Sequence, residues 1–203
     1  LTLADALREL REERGVKSPR LMLQEANLLR EWSIKQSRNK PLADEARPRV
    51  IEALLEASNV LAVALELAEP DRHRALRNRL HVELAATLAT RAQAMGADES
   101  LASERAGLFA EARRVALEAR TEDQASYYPV DVLAWATRDA LKAELLDSSQ
   151  RTDSVAEVLS AFDLIDPDEL DASQIERYYE RRQEFADLVG AIEIADDAFA
   201  ALL

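Results

Sequence analysis

Cysteine is absent from the 203 residues, which excludes disulfides and thiolate metal sites and fits a reducing compartment such as the cytoplasm. Glycine occurs four times and proline six. So few turn-formers leave little room for the short strands and tight turns of a β protein. Histidine is scarcer still. His73 and His81 stand eight residues apart on one predicted helix, which puts them roughly 80° apart around its axis and two turns distant, too far to share a metal. No apolar run approaches the ~20 residues needed to span a bilayer, and nothing after Leu1 resembles a signal peptide. There is no Gly-rich phosphate loop, no GxSxG and no HExxH. The chain therefore reads as a non-enzyme without a cofactor. Asp166, Asp168 and Asp171 have the look of a calcium loop, but neither the turn glycine nor a twelfth-position Glu follows, and helix capping is the better reading. Because residue 1 is Leu and not Met, the chain is expected to be a piece of a longer protein.

What is plentiful is Ala, Leu, Glu and Arg, the residues that favour helix nearly everywhere. An all-α fold is expected. The net charge is -13, and it is unevenly placed: residues 1 to 100 hold 16 acidic and 16 basic side chains, so residues 101 to 203 hold 23 and 10. The second half carries the whole excess, repels phosphate backbones and disfavours nucleic acid as a partner there.

Apolar periodicity predicts nine helices. Residues 2 to 14 carry Leu3, Leu7 and Leu10 on one face and stop at Gly15, and Ser18-Pro19 opens a second helix with Leu21, Met22, Leu28, Leu29 and Trp32, the two forming a first hairpin. A third, unpaired segment runs from about Leu42 to Glu69, with a kink or restart expected at Pro48. Two long helices follow, Asp71 to Met95 and Glu99 to Arg120. The central hairpin runs from Pro129 to Pro167: one helix, a polar break DSSQRTD, then a second helix capped by Asp153 or Ser154. Residues 173 to 189 are expected to turn at Gly190 into a last helix. This divides a single domain, 1-203, into N-terminal helices (1-70) and successive hairpins at 71-120, 129-167 and 173-203.

The second helices of these units share one stripe: Ala57/Leu61/Ala64, Ala112/Ala116/Ala119, Val155/Leu159/Phe162 and Ala195/Phe199/Leu202. Pro167 comes five residues after Phe162. In this the chain resembles the tetratricopeptide-repeat family and its looser relatives, whose second helix carries small, large and small residues at that spacing before a turn proline. The resemblance implies an array of antiparallel helical hairpins, an α-solenoid with a right-handed superhelix, whose concave groove is lined by the first helix of each unit. In that register the last unit presents Arg177, Glu180, Glu184 and Asp187, and the central unit Thr137, Ala140, Glu144 and Asp147. Such a groove is expected to bind a protein or peptide partner, with its acidic residues suited to a Lys- or Arg-rich segment. The alternative reading is the helical sensor or regulatory region of a larger signalling enzyme that hydrolyses nucleotides.

Two other features bear on partners. Arg72, Arg74, Arg77 and Arg79 open a helix, where their charge opposes the dipole and calls for compensation, with Glu66 and Glu69 as the expected partners and phosphate as the sharper alternative. The chain ends on Phe199, Leu202 and Leu203, an apolar finish that predicts self-association or further helices.

Overall fold

The computed structural model describes the backbone of residues 2–37, 42 and 45–200, and their side chains except at 2, 148 and 191–200. It is all-helical. Eight α-helices follow one another: α1 (Thr2–Glu12), α2 (Pro19–Ser37), α3 (Arg47–Leu67), α4 (Arg74–Ala94), α5 (Ala102–Glu122), α6 (Tyr127–Lys142), α7 (Ser148–Phe162) and α8 (Ala172–Ala200), with short 3-10 turns at Glu99–Leu101 and Pro167–Glu169. No helix among the described residues is long and apolar enough to cross a membrane.

The helix boundaries follow from local chemistry, and several depart from the sequence expectation. Pro48 does not kink α3. It lies in the first turn, where a missing N–H interrupts no helical bond. The polar stretch expected as a break before α7 is instead its first two turns, because Asp147 and Gln150 form a reciprocal capping box: Gln150 N–H donates to Asp147 Oδ1 at 2.8 Å and Asp147 N–H to Gln150 Oε1 at 3.1 Å. Asp147 thus caps the helix in place of Asp153 or Ser154. Asp171 caps α8 in the same way, accepting from the N–H groups of Ser173 and Gln174. Asp166 accepts from Asp168 N–H and caps the preceding turn. At Gly190 no turn occurs. Helix α8 runs straight through it, since a glycine within a helix costs only about 1 kcal/mol relative to Ala and no proline or capping residue follows to stop the chain. The nine expected helices are therefore eight among the described residues, and 172–200 is one helix instead of a hairpin. Ala195 and Phe199 lie where only the backbone is described, and Leu202 and Leu203 fall outside the described residues.

Each helix packs on the next, and α2, α4, α6 and α8 also pack on one another in turn (α2 on α4, α4 on α6, α6 on α8), whereas α3, α5 and α7 make no comparable contacts among themselves. Helix α2 lies along α3 more fully than along α1, because α3 has 21 residues to offer and α1 has 11. The first true pair is α2 with α3, and α1 lies beside it. The apolar interior is divided. One cluster joins Ala4, Met22, Leu29, Leu61 and Leu80, another runs from Ala85 through Phe109, Leu133 and Phe162 to Phe185, and Leu84 touches both.

Arginines bridge the joints between helices. Arg11 forks onto Glu25 of α2 at 3.1 Å through both Nε and a terminal nitrogen. Arg30 of α2 meets Glu83 of α4 at 2.6 Å, and Arg113 of α5 meets Glu157 of α7 at 2.7 Å. Arg77 of α4 donates to the carbonyls of Leu65 and Ala68 at the end of α3 and pairs with Glu122 of α5. It satisfies carbonyls that a helix end would otherwise leave open, while tying three helices together.

Candidate partner-binding face

The seven polar residues expected in the groove do not form one continuous lining, and Ala140, the eighth, is buried. Thr137 is fully buried and its hydroxyl has no hydrogen-bond partner among the described residues. The reason lies in α6 itself: it packs on α5, α7, α4 and α8, so almost every face of it is core. Glu144 ends α6 in the left-handed region at φ 55°. Its N–H donates to Leu141 O and that of Leu145 to Ala140 O, the doubled bonding of a Schellman end. Asp147 is occupied as the cap of α7. Glu144 and Asp147 thus serve the α6–α7 turn, and Thr137 lies in the core.

On α8 the picture divides. Glu184 turns toward α6, with its carboxylate 3.7 Å from Lys142 Nζ, 4.0 Å from Arg138 and 3.3 Å from Arg181 of its own helix, so its charge is spent within the protein. Arg177, Glu180 and Asp187 remain exposed. Asp187 accepts from Gln183, and Glu180 has no hydrogen-bond or ion-pair partner among the described residues. Beside them Arg181 stands 3.6 Å from Asp131.

A second region was not among the expected site residues. Between α4 and the start of α6 lies a cavity of about 480 Å³ lined by Asn78, Arg79, Val82, Glu83 and Tyr128. Asn78 is anchored, its side-chain amide donating to Ala119 O at 2.8 Å. Glu83 is held by Arg30. Tyr128 is half exposed at the opening of α6. The four arginines that open α4 sort themselves here. Arg72 pairs with Glu69 at 3.3 Å, Arg74 donates to Glu122 O and Arg77 is engaged as described. Arg79 alone has no hydrogen-bond or ion-pair partner among the described residues. The expected compensation thus comes from Glu69 and Glu122 and leaves one cation over, at the cavity wall.

Comparison with protein-family models, with curated proteins and with solved structures finds no match for this chain.

Elsewhere the ionisable groups serve the fold. Among the described residues no group of three or more His, Asp or Glu side chains is placed to hold a metal. His81 is buried between α4 and α5 with Glu118 4.0 Å from its Nε2. Burial first, then the nearby Arg77 cation, push its pKa below the ordinary value of 6.5, against the upward pull of Glu118 and Glu122. The unfolded chain therefore takes up a proton that the folded one refuses. Stability from this group is complete above pH 6.5 and is lost as pH falls through 6.5 toward the lower folded value. Urea unfolding is expected to shift to lower concentration between pH 7.5 and 5.5, and His81→Gln should flatten that part of the dependence.

Proposed function

We propose that this chain is a protein-interaction module of the cytoplasm, a tetratricopeptide-like array of helical hairpins that holds a protein or peptide segment along the face shared by α2, α4, α6 and α8. The observation that carries this reading is the unequal packing of the two layers. The even-numbered helices touch one another in sequence, while the intervening α3, α5 and α7 do not to any comparable degree. Helices drawn together on one side and spread on the other bend an array, and the bent array offers an extended surface instead of a closed pocket. That surface carries what a binding face uses: the half-exposed Tyr128 beside Val82 and Arg79 in the cavity, then exposed charge on α8 at Arg177, Glu180 and Asp187. Aromatic and arginine side chains at a concave surface are the residue types that dominate binding energy at interfaces. Glu180 and Asp187 suit a Lys- or Arg-rich stretch of the partner.

Photo-crosslinking tests the face directly. A benzoylphenylalanine in place of Tyr128 is expected to capture a defined protein from cell extract, while the same group in place of Ala110, exposed on α5 in the other layer, captures none. Equal capture from both positions, or capture from Ala110 alone, would sink the assignment of this face.

A further inference from the structure

The carboxylate in the wall of the cavity between α4 and α6 is taken by a cation from outside the lining, so the guanidinium in that wall is left without it. Of its lining, Glu83 is committed to Arg30 of α2 at 2.6 Å, with both side chains largely covered, and Asn78 is committed to Ala119 O. Arg79 is four residues before Glu83 on the same helix, the spacing at which the two could have paired. Arg30 has taken that carboxylate instead. Arg30, Arg79 and Glu83 together leave one positive charge over, in a recess whose other walls are Val82 and the ring of Tyr128. This lies within a protein of net charge -13, so the positive recess is a local exception on an acidic molecule.

We infer that this cavity receives an acidic side chain of the bound segment, its carboxylate forked onto the guanidinium of Arg79 and the apolar residue next to it laid against Val82 and Tyr128. The inference rests on the protein-binding reading above and adds the partner's chemistry at one point of the face. A guanidinium holds a carboxylate through two parallel N–H bonds, which fixes the orientation of the incoming side chain as well as its sign. The site also selects against alternatives. A lysine or arginine entering here meets the guanidinium of Arg79 while Glu83 is already committed to Arg30, and an apolar side chain alone leaves the guanidinium of Arg79 covered and unpaired. The preferred segment is therefore of mixed character, acidic and apolar where it crosses α4 and basic where it reaches Glu180 and Asp187 on α8.

The experiment is a selection of phage-displayed random 12-residue peptides on the full 203-residue chain and on its Arg79→Glu variant. Arg79 is exposed and holds no other side chain, so the variant keeps the wild-type circular dichroism spectrum and unfolding midpoint. Wild type is expected to enrich peptides with Asp or Glu beside a large apolar residue. A synthetic peptide of that set is expected to bind about tenfold more weakly to Arg79→Glu, and about tenfold more weakly to wild type when its acid is changed to the amide. Enriched peptides without an acidic position, or affinities within twofold on Arg79→Glu, would overturn the acidic seat and leave the protein-binding reading standing. No enrichment on wild type would overturn both.

Discussion

Removal of the Arg11 guanidinium, as Arg11→Ala, is expected to destabilise the protein by about 3 kcal/mol, read as a fall in the urea midpoint without a change of slope. Glu25 is 1% exposed and is held through both carboxylate oxygens by Arg11 alone among the described residues. Breaking such a pair from one side leaves a charge in the interior with neither water nor a counterion, a loss of about 3–5 kcal/mol. The lower figure applies here because Arg11 is itself 25% exposed, so water can reach part of the gap it leaves. The double change Arg11→Met with Glu25→Leu is expected to recover most of the loss, since two apolar groups need neither partner nor solvent. Should the single and double variants unfold alike, helix α1 is held by its apolar face and not by this pair.

Phe185→Ala is expected to cost about 3–5 kcal/mol, the range for emptying a large aromatic site in a packed interior. Phe185 is fully buried in the same cluster as Leu133, Phe162 and Tyr178. Among the described side chains of α8, its other links are Tyr178, which packs edge-on to Phe162 with ring centroids 5.5 Å apart, the partly buried Leu188 and Val189, and partly exposed ion pairs that are individually worth little. Hydrogen exchange should therefore show α8 losing protection first, with α2 and α3 unchanged. Uniform loss across the chain would show instead that α8 is bound into one cooperative unit with the rest.

The helical character was legible in the sequence, because apolar spacing reports which face of a helix is covered. Ala112, Ala116 and Ala119 of α5 share one stripe in the sequence and are buried. The same spacing cannot report how many neighbours a helix has. Thr137 reads as a groove residue when α6 is imagined with one open side, and it is buried because four other helices surround α6. Nor does spacing reveal what a neighbouring helix brings. Glu184 belongs to a plausible acidic stripe until Arg138 and Lys142 of α6 arrive beside it. Helix ends followed the same logic. Asp147 with Gln150 was a visible capping pair that the polar run around it concealed, and Gly190 was read as a stop although nothing after it enforces one. Arg79 was visible only as one of four clustered arginines. Its lack of a partner depends on Arg30, 49 residues earlier, having claimed Glu83.

Helix α4 is a single rigid beam set into two separate foundations: Leu76 and Leu80 are seated in one apolar cluster and Ala85 through Met95 in the other, with Leu84 at the seam. Arg79, Val82 and Glu83 sit beside that seam, so a group entering the recess would touch α4 close to where the two apolar clusters meet.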